Sequence, residues 1–199
     1  MPVNLDAYAT PQNAPATQAA RREALLAQLG WLTVEAEALG PLMANLPPGV
    51  LTGRPMPGTR SVKETFGLLA ALDRTVHAPQ IARMLSEDAP ALDRADEAAL
   101  ADDAWNEAPL DALLGSMRDA RQALLDRLAA VPLESWQRTA TLASAGDADG
   151  VAPRTDEAET MTLSTYVLRI CQHDADRLRD LAYRLHESKL TTRKDDLPK

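Results

Sequence analysis

The sequence predicts an all-α protein, a single four-helix bundle. Three observations predict it. Four stretches repeat apolar residues at alternating spacings of three and four, the rhythm of one buried helix face. Runs rich in Val, Ile, Thr and Tyr, which form strands, are absent. The stretches are separated by long connections between helices one and two and between helices three and four, and by an acidic connector between helices two and three, so the chain is not a simple up-and-down array.

Composition agrees with this class. The chain has 199 residues, 45% of them apolar and only 4% aromatic, with Ala, Leu and charged residues dominant. That length suits one domain with a real core, predicted over 16–188 between an extended arm (1–15) and a flexible tail (189–199). The net charge of −8 argues against nucleic-acid and anionic-membrane partners, which call for basic surface. No apolar run is long enough to span a bilayer. A lone cysteine, Cys171, and the lack of a signal-peptide pattern predict a cytoplasmic protein without disulfides.

Each element has its own local signals. Pro2, Pro11 and Pro15 make the arm extended, and Thr17 is a candidate cap. Leu25, Leu29, Leu32, Ala36 and Leu39 define helix one, residues 17–39, closed by Gly40-Pro41. Pro41, Pro47, Pro48, Pro55 and Pro57, with four interspersed glycines, forbid a long helix over 40–60, leaving one turn near Pro48–Leu51. Ser61-Val62-Lys63-Glu64 is a capping box that opens helix two, residues 61–85. Its stripe is Val62, Thr65, Phe66, Leu69, Leu72 and Val76, with Leu68 at the edge, His77 a partly exposed surface histidine at the flank, and a kink expected at Pro79. Residues 86–108 carry Glu87, Asp88, Asp93, Asp96, Glu97, Asp102, Asp103 and Glu107 and read as a solvated connector. Trp105 stands out there as an aromatic that folds back on the core or lines a pocket. Helix three, residues 109–130, has Leu110, Leu113, Leu114, Met117, Leu124 and Leu128 on its stripe and stops at Pro132. A short turn, Leu133–Trp136, and a loop over 139–159 lead to helix four.

Helix four, Met161–Ser188, has a hole in its stripe. Leu163, Val167, Ile170, Leu178, Leu181 and Leu185 share one face, yet Asp174 and Arg177 lie in the middle of that face and His173 at its edge. An unpaired buried ion costs several kcal/mol, of order, so the charges pair or the face opens on a solvated cleft. Asp174 and Arg177, three apart, are within reach of one another. Cys171 reads as a small core residue.

Several segments together resemble the DinB-like (YfiT-like) superfamily of four-helix bundles: Leu46-Pro47-Pro48; Pro57-Gly58-Thr59-Arg60-Ser61-Val62-Lys63-Glu64; Ile81–Leu85; Asp103-Ala104-Trp105-Asn106; Leu124–Trp136; and Thr162-Leu163 through His173-Asp174. The resemblance implies a metal site of three histidines suited to Zn²⁺ or Ni²⁺, one on helix two and two on helix four. Only His173 stands at such a position here. Leu68 and Arg177 stand at the other two, and Arg60 replaces a tryptophan usual before helix two. Leucine cannot coordinate, and arginine keeps its charge where the cation would sit. His77 lies ~13 Å further along its helix than Leu68 and cannot replace it. Asp176 points outward.

Three functional readings follow. In the first, the chain lacks the superfamily metal, no cofactor is expected, and a cleft around His173 and Arg177, lined by Glu64, Trp105 and Asp174, is structural or binds a small anion. Arg177 is then neutralised by Asp174 or Glu64. In the second, which only the resemblance suggests, a non-standard divalent-metal site serves a thiol transferase or hydrolase; the catalytic residues stay unassigned. In the third, the chain is a homodimeric interaction module.

Overall fold

The computed structural model describes residues 15–56, 58–143 and 159–195. Most of the expected arm, the final residues 196–199 and the loop over 144–158 lie outside these. Helix α1 (Pro15–Met43) buries Leu25, Leu29, Leu32 and Ala36 on the expected face. It starts at Pro15 and does not stop at Gly40-Pro41. Pro41 removes only one donor, near the helix end, and fully buried Met43 ties the last turn into the core. The connection to helix two contains a single turn of helix, α2 (Pro48–Thr52).

The second long helix is built from α3 (Val62–Leu72), a π-turn (Asp73–His77) and α4 (Ala78–Ser86). Its capping box is present on both sides: Ser61 Oγ accepts from the Glu64 amide at 3.1 Å, and Glu64 Oε2 accepts from the Ser61 amide at 2.7 Å. The irregularity expected at Pro79 takes the form of the π-turn just ahead of it. Proline lacks the N–H an α-helix would use there, and one wide turn absorbs the break. Leu68, expected at the edge of the stripe, is fully buried.

The connector holds β1 (Ala91–Leu92) and α5 (Ala104–Glu107). Next come α6 (Leu110–Ala129), a 3-10 turn (Leu133–Gln137), β2 (Thr139–Leu142), β3 (Glu159–Thr162) and α7 (Leu163–Asp195). The three strands were not expected. They form a small sheet in the order β1-β2-β3, with β1 parallel to β2 (Ala91 opposite Thr141) and β2 antiparallel to β3 (Thr139 opposite Thr162). It lies where α4 finishes and α7 begins, and its buried Leu92, Ala140, Leu142 and Met161 join the core. The helix of α7 runs to Asp195, past the expected boundary at Ser188.

The long helices are arranged unevenly. α1 packs against both α6 and α7, and α3 packs against α6, but α3 and α7 make few contacts. The bundle is therefore open along one side, between its second and fourth long helices, and the loop before α3 and the acidic connector lie over that opening.

Candidate functional site

The hole in the stripe of α7 has counterparts on two other helices. Asp73 on the π-turn, Arg121 on α6 and Asp174 on α7 are all buried. Arg121 Nε donates to Asp73 Oδ2 at 2.7 Å, Nη2 donates to Asp73 Oδ1 at 3.2 Å, and Nη2 also donates to Asp174 Oδ2. One guanidinium thus joins three helices at the bundle centre. Burial pushes the Asp73 carboxyl up to about 6, against the pull of Arg121. Burial acts the same way on Asp174, but Arg121 and His173 together outweigh it and hold that carboxyl below its ordinary value. His173 faces Asp174, whereas Asp73 lacks that cation and is also raised by the Asp174 charge.

His173 continues the chain of charges outward. Its Nδ1 lies 3.1 Å from Asp174 Oδ1 and its Nε2 2.9 Å from Glu97 Oε1. Hydrogen bonds to Asp174 and to Glu97 raise its pKa to about 9 despite burial, so at neutral pH both ring nitrogens carry protons and donate. Arg177 Nε, 3.3 Å from His173 Nε2, then meets a donor and forms no hydrogen bond with it. Glu97 holds the two cations together: Arg177 Nη2 donates to Oε2 at 2.8 Å, and Arg60 Nη1 lies 3.0 Å from the same oxygen. The hydrogen bond from His173, then Arg177, lower the Glu97 carboxyl to about 2. From core to rim the order is Asp73, Arg121, Asp174, His173, Glu97, and then Arg177 with Arg60, each charge opposite to the one before.

The rim opens onto a cleft of about 320 Å³ between α3 and α7, lined by Pro55, Met56, Gly58, Thr59, Arg60, Thr65, Arg177, Asp180, Tyr183 and Arg184. Three guanidiniums and one carboxylate thus border it, with Glu97 already committed to Arg60 and Arg177. Arg184 Nη1 donates to the Arg60 carbonyl at 2.7 Å, and burial lowers its pKa. Arg184 has no carboxylate within salt-bridge distance among the described residues.

A second hollow, of about 270 Å³, lies on the other side of His173 and includes His77, Gln80 and Tyr166. His77 is partly exposed, as expected, but its ring is engaged. Its Nδ1 is 3.0 Å from the Tyr166 hydroxyl, the two rings meet edge to face, and Nε2 is shielded. Burial lowers its pKa to about 4.

The expected cleft residues are not gathered as predicted. Asp174 does not pair with Arg177; it faces Arg121 and His173, turned toward the core. Glu64 neutralises neither His173 nor Arg177. Arg54 Nε donates to both its oxygens at 3.0 Å and Asn106 Nδ2 to Oε1 at 2.8 Å, and that set, led by Arg54, lowers its carboxyl to about 2. Trp105 does fold back, but onto Gly67 of α3, where an added Cβ would come within 2.3 Å of its ring. None of Glu64, Trp105 and Asp174 lines the cleft. Cys171 is fully buried, and burial raises its thiol to about 12. Asp176 is exposed and paired with Arg179 at 2.7 Å.

Four site residues escaped the sequence reading: Asp73, Arg121, Glu97 and Arg184. The first two had a signal. Arg121 falls four residues after Met117 and three before Leu124, on the buried stripe, and Asp73 falls seven after Phe66. Glu97 had none, because one carboxylate among eight in an irregular connector carries no period.

Fold and opening together define a four-helix bundle with one open side. Among solved structures, the chain is similar to one described as "YfiT from Bacillus subtilis is a probable metal-dependent hydrolase with an unusual four-helix bundle topology", with a TM-score of 0.67 and 14% identity over 84% of this chain and 87% of that one. No family model matches the sequence, and no curated protein does. Among the described residues, no three His, Cys, Asp or Glu side chains are grouped to hold a metal ion, and no helix is long and apolar enough to cross a membrane.

Proposed function

We propose that this protein binds a small anionic molecule in the cleft between α3 and α7, without the metal implied by its structural neighbour. One observation carries the reading: Arg60, Arg177 and Arg184 converge on a concave surface of a chain whose net charge is −8. A guanidinium is a fork for carboxylate or phosphate, and a cleft of about 320 Å³ falls in the range of small-ligand sites.

The residues do not fit a divalent metal. Leu68 offers no donor atom. His173 has both ring nitrogens committed to carboxylates and is protonated at neutral pH. The guanidinium of Arg177 stands beside it and repels a cation. A hydrolase or thiol transferase of the metal-dependent kind would need ligands this cluster does not present. Purification without a histidine tag followed by metal analysis checks this: clearly substoichiometric metal is expected, and one bound ion per chain would overturn it.

Thermal unfolding with benzoate, acetate or phosphate tests the binding. An anion at ten times its Kd stabilises the fold by about 1.4 kcal/mol, which for a chain of this size raises Tm by about 3–6 °C. Arg177→Leu and Arg184→Met should abolish most of that rise. If the anions stabilise wild type and both variants equally, they bind elsewhere.

A homodimer is a second reading, favoured by one feature of α1. Ala27, Trp31, Val34, Ala38 and Leu42 are exposed at spacings of four, three, four and four, an apolar seam on the face away from the core. Light scattering should give twice the chain mass, falling to one chain in Trp31→Glu; a wild-type monomer would end this reading.

A further inference from the structure

We infer that Glu97 is a tethered stand-in for the carboxylate of a ligand, and that an organic acid binds by displacing it from Arg60, His173 and Arg177. The inference rests on the anion-binding reading above and names both the ligand class and the gate. Three cations from two separate parts of the chain meet on this one carboxylate: Arg60 Nη1 at 3.0 Å, His173 Nε2 at 2.9 Å and Arg177 Nη2 at 2.8 Å. What the cations hold is itself a carboxylate, so the arrangement already fits that group in size and charge.

The tether can leave without disturbing the cation site. Arg177 and His173 stand on α7, whose Val167, Ile170, Leu178 and Leu181 are packed in the core, and Arg60 immediately precedes the capping box of α3. Glu97 belongs to an irregular segment whose own hydrogen bonds are short-range: the Ala98 and Ala99 amides both donate to Asp96 Oδ1 at 3.0 Å. Apart from its side chain, Glu97 is tied across the cleft by its carbonyl, which accepts from Arg60 Nη2 at 2.7 Å. An incoming carboxylate replaces an equal charge, so the alternation of charges down to Asp73 is preserved. The rest of the molecule would lie along Pro55, Met56 and Tyr183; the last two are 64% and 63% exposed, an apolar wall at the cleft mouth.

A tethered competitor weakens apparent affinity by the fraction of time it occupies the site. Benzoate titrated calorimetrically should therefore bind Glu97→Gln and Glu97→Ala at least about tenfold more tightly than wild type. Asp176→Asn, which removes the same charge from the outer face of α7, should stay within about twofold, because Asp176 is exposed and already paired with Arg179. Inorganic phosphate should gain much less from the Glu97 variants than benzoate. Amides 97–101 should exchange faster in wild type when benzoate is added. If Glu97→Gln and Glu97→Ala gain no more than Asp176→Asn, the gate is wrong, though anion binding stands provided Arg184→Met still weakens benzoate. Equal gains for phosphate would overturn the carboxylate class. If neither anion binds wild type or the Glu97 variants, the anion-binding reading falls, and the gate with it.

Discussion

The bundle centre and the cleft rim use the same groups under opposite conditions. At the centre, Arg121 joins Asp73 and Asp174, with side-chain exposures of 4%, 0% and 3%. At the rim, Glu97 joins Arg60 and Arg177, at 22%, 22% and 36%. At the centre these three charges answer one another: Asp73 and Asp174 both face Arg121, and Asp174 also faces protonated His173. At the rim cations outnumber carboxylates. An ion cut off from water must be matched within the fold, since desolvation leaves no other source of stabilisation. A half-wet ion is under no such demand and stays available to a ligand.

Breaking the core should have the largest effect. Arg121→Met leaves two buried carboxylates facing each other and is expected to destabilise the protein by about 3–5 kcal/mol, measured by urea unfolding. Adding Asp73→Asn and Asp174→Asn to that variant should recover most of the loss, because the damage is uncompensated charge and not lost volume. Arg177→Leu should cost no more than about 1 kcal/mol while losing the anion-induced rise in Tm. If Arg177→Leu destabilises as much as Arg121→Met, the two regions are alike and the rim is structural.

Gly67 sharpens the comparison from the side of the connector. Trp105 lies against its bare backbone, where any Cβ would meet the ring. Gly67→Ala should cost about 1–3 kcal/mol, as overpacking does, and should shift tryptophan emission as the ring is expelled. An unchanged spectrum and stability would mean that the connector is not anchored there.

The fold was legible because it rests on periodicity. The capping box at Ser61, the one-turn helix after Pro48 and the stripes of α1, α6 and α7 all followed from spacing, and the structure shows them. The helix through Pro41 and the sheet were missed for a shared reason: buried Met43 overrides a local stop signal, and four-residue strands such as Thr139–Leu142 are stabilised by partners distant in sequence. The site was half legible. Asp174 announced itself as a charge on an apolar stripe, but its partner Arg121 lies 53 residues away, so the nearest opposite charge on the same helix, Arg177, was the wrong choice. Local spacing can say that a charge needs a partner. It cannot say which helix supplies it.

His173 belongs to both regions, and its titration offers the subtlest test of the contrast. Its folded pKa is raised from 6.5 to about 9. A group raised in this way contributes stability that is fully present below pH 6.5 and is lost as pH climbs through 9. Glu97, lowered from 4.5 to about 2, has the opposite sign: its contribution is present above pH 4.5 and is lost as pH falls through 2. His173 is partly exposed, so solvent screening trims the effect, and the decline on the alkaline side should be shallow. His173→Gln keeps a donor toward one neighbour but cannot titrate. Its stability curve should therefore be flatter than that of wild type between pH 6.5 and 9 and parallel to it between pH 5 and 6. Parallel curves through the alkaline window would mean that His173 is neutral in the folded state. Arg177 Nε could then donate to its Nε2, and the alternation of charge that joins core to rim would be broken at its middle member.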